Sequence, residues 1–179
     1  NSLSMESVKL NCGIAMPLIG YGVYLVAPSI TERCVLDALS VGYRSLDTAQ
    51  YYENEAMVGS AVRKSDIPRD EVFITSKLCL SRPDYDQAKE NVKGSLRRMG
   101  LDYLDLMLIH WPMGNDSEIW RAFEELVKER FLRSIGVSNF YPVYPPRVAR
   151  IKGKFCIFAP AKPQPYWVYF TATLLPKKS

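Results

Sequence analysis

Short runs of consecutive apolar residues alternate with longer stretches in which apolar positions recur every three or four residues. Val8 to Leu10 and Ile14 to Leu18, separated by Asn11-Cys12-Gly13, predict a short hairpin, and Ile19 to Tyr24 a first strand. Ser29 followed by Glu32 has the spacing of a capping box. From there Ile30, Cys34, Val35, Ala38 and Leu39 keep helical spacing until Gly42. Tyr43 to Asp47 is the next strand, followed by a helix from about Asn54 to Lys64 with Ala56, Met57, Ala61 and Val62 on one side. Val72 to Leu78 is a third strand. Pro83-Asp84 opens a helix whose stripe Ala88, Val92, Leu96 and Met99 ends at Gly100. Leu104 to Ile109, a helix from Glu118 to Val127 and a fifth strand from Leu132 to Val137 complete the alternation.

Strand and helix in strict alternation imply an α/β fold with a parallel sheet. No Gly-x-Gly-x-x-Gly or phosphate-loop pattern follows the first strand, so the doubly wound nucleotide-binding sheet loses its main support. The remaining architecture is the (β/α)8 barrel with an N-terminal β-hairpin, of which about five βα units can be counted.

Charge divides the chain. Residues 1–129 hold 14 Lys and Arg against 19 Asp and Glu, whereas 130–179 hold nine basic residues and no acid. Seven of the twelve prolines also fall after residue 141, so 142–179 reads as a Pro-rich basic tail of irregular structure, separate from a partial barrel at 1–141. A divergent terminus or an out-of-frame scar accounts for such a tail. Its charges are scattered among aromatic residues, a poor pattern for nucleic acid. The longest uncharged stretch, 10–31, is interrupted by Gly13, Pro17, Gly20, Gly22 and Pro28, which speaks against a membrane span. No secretory pattern opens the chain, and four dispersed cysteines suit reduced thiols, so a cytoplasmic protein is expected. Asn1 leaves Met5 as the native initiator or the start as incomplete. With one histidine, a multi-histidine metal site is excluded, and no metal is expected.

Candidate chemistry lies where apolar strands stop. Asp47, Lys77 and His110 each terminate one, at successive βα junctions, and Tyr52 follows Asp47 in the same loop. Taken singly, each has a bland explanation: an ion pair under a loop, a core histidine at a turn, a packed tyrosine. Together they place four polar side chains at one end of one sheet. A cation about 4 Å from a phenol, at an effective dielectric of about 20, favours the phenolate by about 4 kcal/mol. That predicts a Tyr52 hydroxyl lowered toward working pH as a general acid, with His110 orienting a substrate oxygen. The set suits protonating the oxyanion formed when hydride reaches a carbonyl carbon. A lysine at a barrel strand end also admits another chemistry, a Schiff base on Lys77 of aldolase type.

At these residues the chain resembles the aldo-keto reductase family. Leu10-Asn11-Cys12-Gly13 through Met16-Pro17-Leu18-Ile19-Gly20-Tyr21-Gly22 is similar to the family's opening hairpin. Leu46-Asp47-Thr48-Ala49 with Tyr52, Asn54 and Glu55 resembles its first signature. Leu101-Asp102-Tyr103-Leu104-Asp105-Leu106 leading to Ile109-His110-Trp111-Pro112 resembles its second, and Arg133 to Phe140 its third. The resemblance implies reduction of an aldehyde or ketone with a nicotinamide cofactor, NADPH in the usual case and NADH in the other. By it Tyr52 is the acid, Lys77 and Asp47 tune it, and His110 positions the carbonyl. Gly22, Val23 and Tyr24 would line the cofactor and substrate mouth together with Asp47, Ser138 and Asn139 would hold the carboxamide, and Trp111 would form a substrate wall. The family's later strand and helix units, with the rest of its cofactor site, are not found after Phe140, which leaves a catalytically inactive fragment as the other reading. Uncovered barrel edges predict self-association.

Overall fold

The elements follow the apolar pattern in a computed structural model that describes residues 6–10 and 12–140, and the backbone alone of 156–158. Strands β1 (Ser7–Lys9) and β2 (Ala15–Pro17) form the antiparallel hairpin, with Val8 opposite Met16. Its turn places Gly13 at φ +93°, a conformation that suits glycine. Then β3 (Tyr21–Gly22), β4 (Ser45–Asp47), β5 (Phe73–Leu78), β6 (Leu104–Ile109) and β7 (Leu132–Ser138) pair in parallel, each with its sequence neighbour. Helices α1 (Pro28–Ser40), α2 (Glu55–Lys64), α3 (Tyr85–Met99) and α4 (Asp116–Lys128) connect them. The strand order runs straight through, without the reversal of a doubly wound sheet, as in the first part of a (β/α)8 barrel.

Two cores lie on the two faces of this sheet. On the helix side, Val35, Leu39, Val58, Val62, Val92, Leu96, Phe123 and Leu126 pack against Leu46, Ile74, Met107 and Ile109. On the other side, Leu10 and Met16 of the hairpin region meet Phe73, Leu106 and Leu108. The hairpin therefore covers the inner face where the strands begin, leaving their carboxyl ends for the polar cluster.

Several boundaries differ from the sequence reading. Ser29 does not cap α1: Ala27 occupies the N-cap with no side-chain bond and Pro28 takes the first turn, where its missing N–H costs nothing. Thr31 Oγ1 donates to the Ala27 carbonyl from within the helix. Ile30, expected inward, is exposed, because the buried stripe of α1 runs through Thr31, Val35, Ala38 and Leu39. Strand β3 keeps only two of the six residues between Ile19 and Tyr24. In α2 the buried face is Glu55, Val58, Gly59, Ala61 and Val62, and Ala56 points outward. Helix α4 begins two residues early, at Asp116, whose carboxylate accepts from the Met113 N–H at 2.8 Å. Within the segment read as irregular, the backbone of β8 (Cys156–Phe158) pairs in parallel with β7, Val137 opposite Ile157. The rest of 142–179 lies outside the described residues.

Candidate active site

Side chains alternate across a strand, so β5 sends Ser76 and Leu78 toward the helices and Thr75 and Lys77 to the opposite face. Ser76 confirms this phase, because its hydroxyl donates to Glu55 of α2 at 2.7 Å. Asp47, the last residue of β4, stands opposite Thr75 in the ladder and opposite Gly22 on its other side. His110 follows β6 immediately, its backbone N–H donating to the Leu78 carbonyl at 3.2 Å. Three of the four predicted catalytic side chains therefore come from the carboxyl ends of adjacent strands, and Tyr52 from the loop that follows the first of them.

They meet around the Lys77 ammonium. Lys77 Nζ donates to Asp47 Oδ1 at 2.5 Å, to the Thr48 carbonyl at 2.9 Å and to the Tyr52 hydroxyl oxygen at 3.3 Å. An ammonium has three N–H donors, and each has an acceptor here. Because the lysine donates to the phenol oxygen, the tyrosine keeps its own proton for another acceptor. Both members of the ion pair are buried, which the satisfied bonds make tolerable. The His110 ring stands edge-on to Tyr52 at 5.9 Å between centroids.

One electrostatic expectation fails. The Tyr52 phenol is pushed above its ordinary value, since burial outweighs the Lys77 ammonium and the Asp47 carboxylate also opposes ionisation. The cation's pull on the phenolate is present, but the cost of desolvating it, still to be subtracted from that pull, is the larger of the two. The hydroxyl is consequently neutral and proton-bearing throughout the neutral range. His110 moves the other way, down to about 4, through burial first and the Lys77 charge second, so its imidazole is uncharged at neutral pH. Its Nδ1 is buried with no partner among the described residues. An orphaned acceptor costs less than an orphaned N–H, which favours the tautomer with the proton on Nε2.

The remaining candidates divide by position. The Tyr24 ring packs on Tyr52 at 5.0 Å, and half-exposed Trp111 lies 4.3 Å from His110, so both border the cluster. Gly22 borders it through its register with Asp47. Val23 does not: its side chain is wholly buried in the helix-side core, and only its backbone takes part, donating to the Asp47 carbonyl and accepting from Asn54. Ser138 and Asn139 stand at the end of β7, where Asn139 Nδ2 donates to the His110 carbonyl at 2.9 Å and to Ser138 Oγ at 3.2 Å.

Residues that strand-end reasoning did not single out complete the surroundings. Tyr51 turns its ring edge-on to Trp111 and His110, at 5.8 and 6.3 Å. Asn54, fully buried, donates to the Val23 and Val26 carbonyls and accepts from Thr48 Oγ1, fastening the loop after β3 to the loop after β4. The Thr48 ligand to Lys77 is a backbone carbonyl, which no side-chain pattern announces. Among the described residues no group of three His, Cys, Asp or Glu side chains is placed to hold a metal ion, and no helix is long and apolar enough to cross a membrane.

Comparison with known proteins decides the ancestry of this arrangement. The model for the Aldo/keto reductase family matches residues 20–156. The chain belongs to the aldo/keto reductase family. An aldo-keto reductase of Mycobacterium avium is 47% identical over 143 residues, covering 78% of this chain and 50% of the relative, and one of Mycolicibacterium paratuberculosis is 46% identical over the same length. The crystal structure of an aldo/keto reductase from Brucella melitensis superposes with a TM-score of 0.80 at 40% identity, over 87% of this chain and 62% of the other. MGS-M4, an aldo-keto reductase enzyme from a Medee basin deep-sea metagenome library, gives 0.79 at 40% identity, over 85% and 58%. The chain thus spans about half the length of the curated relatives it matches. The described barrel portion is the family's fold.

Proposed function

We propose that this chain carries the acid–base half of a nicotinamide-dependent carbonyl reductase, reducing an aldehyde or ketone to an alcohol with NADPH as the preferred cofactor. The single observation that carries the reading is the Lys77 ammonium, which donates to the Tyr52 hydroxyl oxygen while held by Asp47 and Thr48. That geometry leaves the phenol proton free to move to a substrate oxygen, and the raised Tyr52 value keeps that proton in place until it is needed. When bound, the nicotinamide supplies the hydride that reaches the carbonyl carbon. Tyr52 gives its proton to the carbonyl oxygen, and the Lys77 charge stabilises the phenolate left behind. His110 orients the same oxygen through its neutral N–H. Hydride and proton together complete the alcohol, and Tyr52 regains its proton from solvent.

The residues fit the inner end of such a cofactor. The Ser138 hydroxyl accepts from Asn139 and retains its own proton, so it has a donor for a carboxamide oxygen close to the His110 strand end. Tyr24, Tyr51 and Trp111 supply flat apolar walls around the reacting position. The Schiff-base reading loses support from the same cluster, since an attacking amine needs a free lone pair and Lys77 points three N–H bonds at three acceptors.

The test is a pair of measurements. Titration with NADPH should change the cofactor's fluorescence on binding, and Tyr52→Phe should lower carbonyl reduction by about 100-fold or more with cofactor affinity unchanged. An unaltered rate in Tyr52→Phe removes the acid assignment. No binding at saturating NADPH leaves the inactive-fragment reading.

A further inference from the structure

The turn that carries Tyr52 is fastened to the strand that carries Lys77 by a side chain outside the catalytic four. Gln50 opens the 3-10 turn Gln50–Tyr52. Its Oε1 accepts the backbone N–H of Cys79 at 2.9 Å, two residues past Lys77. Its Nε2 donates to Ser95 Oγ of α3, also at 2.9 Å. Ser95 in turn donates to Glu55 Oε2 at 3.2 Å, and Glu55 is a buried carboxylate that takes Ser76 Oγ at 2.7 Å and Arg98 at 2.7 and 3.1 Å. Tyr52 is therefore bracketed, two residues before and three after, by side chains tied to the chain on either side of Lys77, at Cys79 just past β5 and at Ser76 within it.

We propose that Gln50 and Glu55 form a two-point clamp that sets the Tyr52–Lys77 contact, with Gln50 as a positioning residue for the acid. The turn's own backbone bonds, Tyr52 N–H to Ala49 and Glu53 N–H to Gln50, are internal and fix no distance to β5. Asn54, two residues after Tyr52, bonds to the loop after β3, on the far side of β4 from Lys77. Without the Gln50 bond to Cys79, the turn loses its direct side-chain tether beyond the strand end, and the long 3.3 Å Lys77–Tyr52 bond is the first contact to open. Glu55 holds the second point because its carboxylate is matched by Arg98 and two hydroxyls, so it stays buried at the start of α2. This inference rests on the reading of Tyr52 as the acid, and it deepens that reading by adding the element that aims it.

Tyr52 reports on the clamp through its titration. The groups facing it are Lys77 from β5, Asp47 from β4, Tyr24 from the loop after β3 and His110 after β6. Of these only Lys77 favours the phenolate, so a turn that drifts away from the ammonium while the ring stays packed against Tyr24 and His110 ionises later. In the full chain labelled with 13C at tyrosine Cζ, the Tyr52 signal is the one lost in Tyr52→Phe. Gln50→Met keeps the length of the side chain and removes both bonds. It should raise the Tyr52 midpoint by at least about half a pH unit, roughly threefold in proton affinity. Ser95→Ala, which spares the Cys79 bond, should raise it by less. Gln87→Ala, which weakens the cap of α3 away from the site, should leave it unchanged. A Tyr52 midpoint that stays put in both Gln50→Met and Ser95→Ala overturns the clamp, even where Tyr52→Phe still abolishes reduction. Active Tyr52→Phe instead overturns the acid reading. A wild-type measurement decides the matter should neither variant fold: the Cys79 amide is expected to exchange slowly, and exchange at the rate of an open loop overturns the proposal.

Discussion

His110 is the chain's single histidine, so its ring protons report one titration without assignment. The midpoint should fall near 4, well below the ordinary 6.5, because burial and the Lys77 ammonium both oppose the charged form. The sign for stability follows. Above about pH 6.5 neither folded nor unfolded His110 binds a proton, and the group contributes nothing. As pH falls from there toward 4 the unfolded chain takes up a proton that the folded chain refuses, so stability declines, by at most about 1.4 kcal/mol per pH unit. Below 4 the decline from this group stops. Proton NMR checks the midpoint and urea unfolding the slope; a midpoint at 6.5 would place the ring in water. At this scale Asp47, Lys77 and His110 were legible because a polar residue ending an apolar strand has few other reasons to be there. The direction of the Tyr52 shift was not, since desolvation depends on neighbours such as Tyr24 that arrive from a distant loop. Gln50 was silent for the same reason: its partners are 29 and 45 residues away, one of them a backbone N–H.

Helices were readable in proportion to how local their signals are. Asp84 and Gln87 form a complete capping box on α3, each side chain bonded to the other's backbone N–H, at 2.8 and 3.0 Å. Asp84→Ala should therefore cost about 1 kcal/mol, measured as a shift of the urea midpoint with unchanged slope. The Ser29 and Glu32 pair had the same spacing without the same outcome, because Pro28 pre-sets the backbone one residue earlier and starts α1 there. Nothing in the periodicity of α2 marked Gly59, which lies where the helix touches the backbone at Met99, the end of α3. A Cβ at Gly59 would overlap the Met99 carbonyl oxygen, and backbone cannot yield as a side chain can. Gly59→Ala should then destabilise by about 2 kcal/mol or more, despite alanine's better helix propensity. Thermal unfolding decides between these opposed effects. A more stable variant would mean that α2 and α3 stand farther apart.

At the scale of the whole molecule, strand order was legible because each apolar run is joined to the next by one amphipathic helix, and no nucleotide-binding glycine pattern after the first strand supports the reversed order of a doubly wound sheet. The number of strands was not, since β8 is a three-residue run inside a segment whose prolines and charge spoke for irregular structure. A closed eight-stranded barrel has no edges, whereas among the described residues β3 ends the sheet on one side and β8 on the other. Beside β3 stand Leu18 and Ile19, 45% and 65% exposed, which adds apolar surface to an open ladder. An edge of this composition pairs readily with another chain. The 179-residue protein should therefore associate as its concentration rises, with a weight-average mass above the 20.4 kDa monomer in sedimentation equilibrium. Leu18→Lys with Ile19→Lys should weaken that association, because charges beside an edge oppose pairing, and should leave the helical circular dichroism unchanged. A monomer at every concentration, in wild type and variant alike, would mean that the β3 edge is already covered within one chain.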